Sequence, residues 1–465
     1  MAAQDRLLRG RGPDLPPCNP TAGAPRLNQH PMSDALPKQV DLRTLAEPLY
    51  RGSVQNLHEF PGQPGFMLCQ TTESGSVFDV GSIFTIEGND LNRALFRHAA
   101  YQRLAQPQTW HRVEQAIAKA DLPKDFEALL SRGVLPQLKE RGALTHHVGM
   151  VDAQSGAVCQ QGMPQHPSCW NVVRRFPVMH PTQRRLMGHH VYDYGQFHQN
   201  STYVIPLEYI VRFGLTTGSS VMRKYQALGG LEQRQYAQEL GVEGELQPWN
   251  MLPRPIFDFT SKYEPEDRAV SKQEALLMSG LGAEVFDASI QMALLGAWAL
   301  REMLEQAGLQ LWDLKWEFAV DGDDLLFVDT IDADSFRATA TLPVENRQAV
   351  VHYNKQAMRD YYRLLCPDWY AGINRAKQEA ARSGAAFKQV LRQGQQSGEY
   401  PPTPQVAAEF LQIQADKTAC LRKLVQGELS AAEVSAQLRA LGLAEIDFYR
   451  SHAALEAWLK LNAVD

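Results

Sequence analysis

The segment LWDLKWEFAVDGDDLLFVDTIDADSFR, residues 311–337, constrains the fold of this chain more than any other stretch. Two runs with the composition of strands, Leu311–Val320 and Leu325–Thr330, flank the sequence DGDD at 321–324. Aspartate and glycine tolerate the left-handed backbone angles that a tight hairpin requires. The segment therefore predicts an antiparallel β-hairpin.

Charged residues occupy one face of the first predicted strand. Asp313, Lys315 and Glu317 alternate with apolar residues, and side chains two positions apart in a strand point to the same side. A solvated edge strand could carry such charges. A lysine between two carboxylates, opposed by further charged residues, instead favours a functional site. The charged residues that follow the turn are Asp329, Asp332, Asp334 and Arg337.

The composition of the chain excludes several classes of function. The 465 residues contain no apolar run approaching the roughly 20 residues needed to cross a bilayer. A net charge of -6 gives no basic footprint for nucleic acid, and six scattered cysteines do not indicate a disulfide framework. The N-terminus lacks the apolar stretch of a signal peptide. We therefore expect a cytoplasmic protein with neither a membrane nor a nucleic-acid partner.

The order of the predicted elements indicates an α+β fold. Residues 1–40 show no periodicity and predict a flexible tail. The rest divides into a β-rich lobe at 41–120, an α+β domain at 121–352 with a loop-like insertion at about 150–203, and a helical C-terminal extension at 353–465.

Within these regions, period-two and helical patterns predict individual elements. Ser271 followed by Glu274, and Ser430 followed by Glu433, are capping-box patterns that predict helix starts. The first of these helices is expected to break at Ser279–Gly282. The other predicted elements are strands at Leu49–His58, Gly65–Thr71 and Ser76–Ile83 and helices at Leu91–Leu104 and Thr109–Ala120.

A second segment has the composition of an anion site. Arg212–Ser220 reads RFGLTTGSS and places an arginine before glycines, hydroxyl groups and free backbone N–H groups. Guanidinium, hydroxyl and amide donors together suit a phosphate ester. A loop that merely turns the chain is the alternative. The chain contains neither the G-x-x-x-x-G-K-[ST] nor the G-x-G-x-x-G nucleotide signature.

Taken together, these segments resemble a known family. The motifs LYRGSVQNLHEF, VIPLEYIVRFGLTTGSS, PIFDFTSKYEPEDRAVS, DLKWEF and VDTIDADSFR occur in the order found in phosphoribosylaminoimidazole-succinocarboxamide (SAICAR) synthetases of purine biosynthesis. The resemblance covers roughly residues 41–360, excluding the insertion at about 150–203. It implies a SAICAR synthetase-like fold, with a small β-rich nucleotide lobe and a larger α+β domain.

The resemblance also implies a reaction and its partners. The family joins a phosphoribosyl-aminoimidazole carboxylate to aspartate, using ATP and Mg²⁺, through an acyl phosphate. By similarity Lys315, Glu317, Asp329 and Asp267 would be catalytic, with Asp267 near the amino acid and Glu317 and Asp329 holding the metal. The substrate-binding residues would be Arg212, Gly218, Ser219, Asp334, Ser335 and Arg337. The residues expected to bind ATP are Gly52, Ser53, Gln55, Arg175, Glu317 and Asp329.

Departures from the family pattern concentrate on the ATP side. The family's glycine-rich strand carries basic residues, whereas here Gly52 is followed by Ser53 and Gln55. Losing cations from a triphosphate site is expected to cost several kcal/mol, at about 1–3 for each charged hydrogen bond. The pairs Arg174-Arg175 and Arg184-Arg185 are candidates for replacing that charge.

Several alternatives stay open. The chain could be a paralogue that uses a related heterocycle or another amine, or a protein that binds the phosphoribosyl ligand without ATP chemistry. Histidines and cysteines in the insertion, such as Cys159, Cys169 and His180, raise the further alternative of a zinc-dependent hydrolase, although their spacing matches no compact zinc pattern. The C-terminal helices are expected to pack on the catalytic domain or to form a subunit contact in a homo-oligomer.

Overall fold

The computed structural model describes residues 35–264 and 267–464. Within them the strands are β1 Tyr50–Arg51, β2 Gln55–Glu59, β3 Phe66–Thr71, β4 Ser74–Ser76, β5 Ser82–Thr85, β6 His147–Val151, β7 Val158–Cys159, β8 Trp170–Arg174, β9 Thr182–Leu186, β10 His189–Asp193, β11 Thr202–Val204, β12 Leu207–Gly214, β13 Met251–Ser261, β14 Ala269–Val270, β15 Gln310–Asp321, β16 Asp324–Val328, β17 Phe336–Val344, β18 Arg347–His352 and β19 Ala463–Val464.

The helices of the same residues are α1 Asn89–Leu104, α2 Pro107–Lys119, α3 Lys124–Ser131, α4 Val134–Arg141, α5 Ser220–Ala227, α6 Gly230–Glu239, α7 Lys272–Ser279, α8 Ala283–Glu305, α9 Gln356–Leu365, α10 Pro367–Ser383, α11 Phe387–Ser397, α12 Ala408–Gln426, α13 Ala431–Ser451 and α14 Leu455–Asn462. None of these helices is long and apolar enough to span a bilayer. The mixture of antiparallel sheets and helices confirms the α+β class.

The N-terminal part is built on a sheet with the strand order β1-β2-β3-β8-β6-β7. The single strand predicted at Leu49–His58 is wrong, because β1 and β2 form a hairpin that turns at Gly52. The strand predicted at Ser76–Ile83 is also wrong, since β4 and β5 are separate strands joined by a loop. The strand predicted at Gly65–Thr71 is confirmed as β3.

The loop-like character predicted for residues 150–203 is wrong. Strand β8 in this segment pairs with both β3 and β6, so it lies inside the N-terminal sheet. Strands β9 and β10 form a separate, largely exposed hairpin. Strand β8 has only five residues, and its apolar residues Trp170, Val172 and Val173 do not alternate, so no period-two pattern marks it in the sequence. The predicted domain boundaries stay a prediction.

The flexible tail predicted for residues 1–40 lies mostly outside the described residues, which begin at residue 35. Its last residue, Val40, is buried and donates its backbone N–H to Gly156 O at 2.9 Å. The end of this segment is therefore fixed against the N-terminal sheet.

The larger sheet has the order β14-β13-β12-β15-β17-β18-β19, and β11 and β16 add further pairings with β15. The predicted hairpin is confirmed: β15 pairs with β16 from Glu317↔Val328 to Asp321↔Asp324. Its turn residue Gly322 has a φ of 63°. Because β12, β16 and β17 all pair with β15, this strand brings the predicted anion segment beside the predicted hairpin.

Helices cover the sheets where the sequence predicts apolar stripes. The predicted helices at Leu91–Leu104 and Thr109–Ala120 are confirmed as α1 and α2. Helices α7 and α8 confirm the break at Ser279–Gly282. Helix α8 packs along β12 and β15 through a continuous apolar face. The capping interaction at Ser271 and the full capping box at Ser430 are both present.

The extension predicted at 353–465 is helical from α9 to α14, but it ends in a short strand instead of a helix. Strand β19 pairs with the edge strand β18. Helix α12 packs against α1 and α13, so the extension contacts the N-terminal part of the chain as well as the larger sheet. This confirms the expected packing of the extension on the rest of the chain.

A buried polar cluster joins the extension to β18. His352 is 2% exposed, and its Nε2 lies 3.1 Å from Asn462 Oδ1 and 3.6 Å from Asp360 Oδ2. Lys417 donates to the backbone oxygen of His352 at 2.8 Å and pairs with Glu445 at 2.6 Å. Burial lowers the pKa of His352 to about 3 and raises the pKa of Asp360 to about 6.

These shifts predict a pH dependence of folding. Below about pH 6.5 the unfolded chain protonates His352 while the folded chain does not, so stability is lost as the pH falls towards 3. Asp360 acts in the opposite sense, because its contribution is present below about pH 4 and is lost as the pH rises through 6. Substituting His352→Gln should reduce the stability difference between pH 6.5 and 4.5 by about 2 kcal/mol.

Urea unfolding of both proteins at the two pH values measures this difference. The matched control is His111→Gln, on the exposed face of α2, which should keep the wild-type difference. An unchanged pH dependence in the His352 variant would show that His352 does not cause the loss of stability at low pH.

Candidate active site

Lys315 is the centre of a carboxylate cluster on β15. Its Nζ lies 2.6 Å from Glu317 Oε1 and 3.6 Å from Asp329 Oδ2. It also donates to Glu208 Oε1, on the neighbouring strand β12, at 2.8 Å. The structure therefore brings together the three residues predicted on the hairpin and adds Glu208.

A second lysine, Lys262, completes this cluster. It directly follows β13 and pairs with the same Oε1 of Glu317 that Lys315 contacts. Sequence reasoning missed both Lys262 and Glu208. Their only signal was their position inside the quoted motifs PIFDFTSKYEPEDRAVS and VIPLEYIVRFGLTTGSS.

The two hairpin carboxylates share a proton site. Glu317 is 3% exposed, and its burial together with the charge of Asp329 raises its pKa to about 7. Burial alone would raise the pKa of Asp329 too, but Lys315, Lys262 and the hydrogen bond with Glu317 lower it. The pair is thus held with Asp329 ionised and Glu317 partly protonated near neutral pH.

This donor set fits Mg²⁺. Two adjacent carboxylates that must share a proton form a site in which a divalent cation can take the proton's place. Mg²⁺ is held by one or two carboxylates together with substrate phosphates and water. Among the described residues, no group of three or more His, Cys, Asp and Glu side chains is placed to hold a metal. The Glu317–Asp329 pair therefore suits a metal that arrives with a phosphate ligand.

The backbone of Asp329 is held by a hydrogen bond from helix α1. Asp329 has a φ of 66°, a conformation that is uncommon for residues other than glycine. The hydroxyl of Tyr101, on α1, donates to Asp329 O at 2.8 Å. This contact holds the carboxylate beside Glu317 after the chain leaves β16.

Two residues before Lys315, the same strand face carries an anion subsite. Asp313 accepts a hydrogen bond from Arg212 Nη1 at 3.0 Å and forms an ion pair with Arg337 Nε at 3.1 Å. Arg212 is 4% exposed and also contacts Asp258 and Ser220, so its donors are held within the protein. Arg337 is more open to solvent and donates to Thr216.

The predicted anion loop leads into a helix N-terminus. Ser219 is buried and caps α5 by accepting from the backbone N–H of Val221. Gly218 is exposed, and a Cβ added there would lie 3.7 Å from Arg337 Nη1. Backbone N–H groups at a helix start favour an anion, so helix α5 strengthens the phosphate-binding character of the loop.

Two further cations, missed in the sequence, lie near Arg337 on the start of α9. Arg359 is half-buried, and burial together with Arg337 and Arg363 lowers its pKa. Burial and Arg359 likewise lower the pKa of Lys355. Neither side chain has an ion pair within 4.0 Å in the part of the chain that the structure describes. Clustered cations without carboxylate partners favour binding of an anion.

Asp334 and Ser335 lie at the edge of this site. Asp334 pairs with Arg93 at 2.9 Å and, with Lys355, lines an open cleft. Ser335 exchanges hydrogen bonds with the backbone of Asp332, so its hydroxyl stabilises a local turn.

Comparison with known proteins shows which family the chain belongs to. The sequence profile described as SAICAR synthetase matches residues 48–376, which is more than half of the chain. The chain belongs to the SAICAR synthetase family. Members of this family are carbon–nitrogen ligases that use ATP.

Individual relatives are distant. The "Putative phosphoribosylaminoimidazole-succinocarboxamide synthase" of Archaeoglobus fulgidus is 27% identical over 260 residues, which make up 55% of this chain and 70% of the relative. The phosphoribosylaminoimidazole-succinocarboxamide synthase of Pyrobaculum aerophilum is 32% identical over 136 residues, which make up 29% of this chain and 49% of the relative. A structure of the Saccharomyces cerevisiae SAICAR synthase complexed with SAICAR has 15% identity and a TM-score of 0.45, covering 84% of this chain and 97% of that one.

The turn at Gly52 is the predicted ATP side of the site. The hairpin turn at Gly52 is closed by its N–H donating to Gln55 O at 2.8 Å, and a Cβ at Gly52 would lie 2.7 Å from that oxygen. Ser53 accepts from Ser82 through its backbone oxygen. Neither Ser53 nor Gln55 brings a positive charge to this turn.

Arg175 does not supply the missing charge at this place. It lies 3.6 Å from Glu59, at the opposite end of β2 from Gln55. Arg184 pairs with Asp193 on the exposed hairpin β9–β10. The structure therefore argues against both arginine pairs as replacements beside Gly52.

Asp267 lies at the edge of the carboxylate cluster. The residue is exposed, and its pKa is raised by partial burial and by Glu208. Lys315 and Lys262 are also close enough to affect it. Its role near the amino-acid substrate stays a prediction.

Lys355 and Arg359, which have no ion-pair partner among the described residues, predict that a bound anion stabilises the folded protein. Substituting Arg359→Gln removes one of several clustered positive charges, so stability without anions should be unchanged or higher. Binding of inorganic phosphate to the folded protein stabilises it in proportion to ln(1+[L]/Kd). Phosphate at 20-fold its Kd should stabilise the wild type by about 1.8 kcal/mol, and the variant by less than half of that.

Thermal unfolding with and without phosphate tests this expectation. Arg347→Gln, on the exposed side of β18, is the charge-matched control. An equal phosphate effect in both variants would remove Arg359 from the anion site.

Proposed function

We propose that this chain is an ATP-dependent ligase that joins the carboxylate of a phosphoribosyl-aminoimidazole carboxylate to the amine of aspartate. The observation that carries the proposal is the placement of two subsites on alternate residues of β15. Asp313 anchors the arginines, while Lys315 and Glu317 form the carboxylate cluster. Residues two apart in a strand are separated by about 7 Å, which suits a ribose phosphate linked to a heterocyclic carboxylate.

The phosphate of the ribotide is bound at Arg337, Gly218, Ser219 and the start of α5. Arg212 lies beneath and holds Asp313, which in turn orients Arg337. Arg359 and Lys355 extend the positive charge of this subsite. The heterocyclic carboxylate then points along β15 towards Lys315.

The reaction runs in two steps at the carboxylate cluster. A substrate carboxylate oxygen attacks the terminal phosphorus of ATP, and ADP leaves. The amine of aspartate then attacks the acyl phosphate, releasing inorganic phosphate and one proton. Magnesium held by Glu317 and Asp329 neutralises phosphate charge when bound, and Lys315 and Lys262 neutralise charge at the acceptor carboxylate.

The first test is ADP release with the carboxylated aminoimidazole ribotide, ATP, magnesium and aspartate. We expect ADP and the succinocarboxamide product in equal amounts. Each of the other amino acids is then tried in place of aspartate. ADP released only with another amine would replace the proposal with a paralogue of different amine specificity.

No turnover with any amine, alongside measurable ribotide binding, would favour a non-catalytic ligand-binding protein. The uncharged Ser53 and Gln55 motivate that alternative. The retained Glu317 and Asp329 count against it, because ribotide binding alone does not need a metal pair. A cytoplasmic location and a homo-oligomeric assembly stay predictions.

Two substitutions should separate the subsites. Arg337→Ala removes charged hydrogen bonds to the phosphate and should weaken ribotide binding by about 1–3 kcal/mol. Asp329→Asn should lower turnover by about 100-fold or more and leave ribotide affinity within about threefold, since it acts on phosphoryl transfer. Calorimetric ribotide titration and steady-state ADP release measure the two effects.

Asp323→Asn, in the exposed turn of the same hairpin, is the matched control and should behave as wild type. Full activity of the Asp329 variant would overturn the metal assignment. Unchanged ribotide binding by the Arg337 variant would overturn the phosphate assignment.

A further inference from the structure

Helix α1 places two buried arginines between the β1–β2 hairpin and the larger sheet. Arg93 and Arg97 are 3% and 2% exposed, and both contact Asp332 Oδ2, at 3.1 Å and 3.0 Å. Arg93 also pairs with Asp334 at 2.9 Å. Arg97 has no second carboxylate within 4.0 Å among the described residues. A carboxylate oxygen shared between two guanidinium groups leaves the charge of Arg97 incompletely neutralised.

Gln55 fixes the direction of the Arg97 guanidinium. Arg97 Nη1 donates to Gln55 Oε1 at 3.1 Å, and Arg97 Nε is buried without a hydrogen-bond partner. Gln55 closes the turn that begins at Gly52. The neutral side chain in the hairpin therefore connects directly to a cation from another element.

On its other side, Arg97 lies one helical turn before Tyr101, whose hydroxyl donates to Asp329 O at 2.8 Å. Arg97 thus lies between the glycine turn and the carboxylates proposed to hold Mg²⁺. A polyphosphate that reached from a metal at that pair to the glycine turn would therefore pass near Arg97.

We propose that Arg97 supplies, from helix α1, the positive charge for the nucleotide polyphosphate, and that Gln55 positions it. The inference rests on the proposed function, because it takes ATP as the nucleotide. A buried guanidinium keeps its charge and its orientation, and its field is weakly screened. It can therefore act on a diphosphate group without the flexible cations of the family's hairpin.

The alternative is that Arg97 only ties strand β2 to the loop at Asp332. The two roles differ in which ligand they affect. An electrostatic role acts on the β-phosphate, so it changes affinity for ADP and spares AMP. A purely structural role changes the whole lobe and affects both nucleotides equally.

The test is calorimetric titration of the full chain with Mg·ADP and with AMP, without turnover. Arg97→Gln should weaken Mg·ADP binding about tenfold and change AMP binding less than about threefold. Arg93→Gln is the matched control, because it removes an equal charge from the same Asp332 contact but not the contact with Gln55. It should keep the wild-type affinity for Mg·ADP within about threefold.

A double variant tests whether a cation in the hairpin can replace Arg97. The double variant Gln55→Lys, Arg97→Gln moves the cation into the hairpin and should recover Mg·ADP affinity to within about threefold of wild type. Gln55→Met keeps Arg97 but removes its acceptor, so it should lose part of the affinity for Mg·ADP alone. This variant tests the proposal even if Arg97→Gln does not fold.

Wild-type affinity for Mg·ADP in both the Arg97→Gln and Gln55→Met variants would overturn the inference, as would equal losses for ADP and AMP. Either result leaves the proposed ligase function standing. Absence of Mg·ADP binding by the wild-type protein would instead overturn the proposed function, and the inference with it.

Discussion

The charge balance around Lys315 is the interaction on which the rest of the site depends. Glu208, Glu317 and Asp329 all lie within 4.0 Å of its Nζ, and Lys262 shares Glu317. Burying a carboxylate without a partner is costly, so these contacts are what allow Glu317 to lie in the interior of the sheet. Three carboxylates against two lysines leave one negative charge, which a shared proton only partly offsets. That residual negative charge favours binding of a cation such as Mg²⁺ here.

Strand β15 fixes the distance between this cluster and the anion subsite. Its pairing with β12 brings Glu208 and Arg212 alongside, and its pairing with β17 brings Arg337 alongside. Each pairing fixes register in steps of one residue, and a slip of one residue would turn every charged side chain to the opposite face. The separation between the anion subsite and the carboxylate cluster is therefore set by backbone hydrogen bonds, and not by the flexible side chains themselves.

The sequence predicts well those features that are local. The hairpin at 311–330, the same-face charges on it and the break before α8 all follow from neighbouring residues, and the structure has each of them. Lys262, Glu208 and Arg97 could not be placed, because their partners lie at least 40 residues away and are joined only by strand register and helix packing. Strand β8 was not predicted for a related reason. Its five residues form a strand by pairing with β3 and β6, which are distant in the sequence.

The C-terminal extension and the altered hairpin are connected through α1. The family profile ends at residue 376, and α12 lies beyond it. Arg422 on α12 donates to Asn92 at 3.0 Å, and Arg103 donates to the backbone oxygen of Val425 at 3.2 Å. These contacts lie one at each end of α1, so α12 braces the helix that carries Arg97. The extension beyond the family profile thus contacts both ends of the helix that carries Arg97.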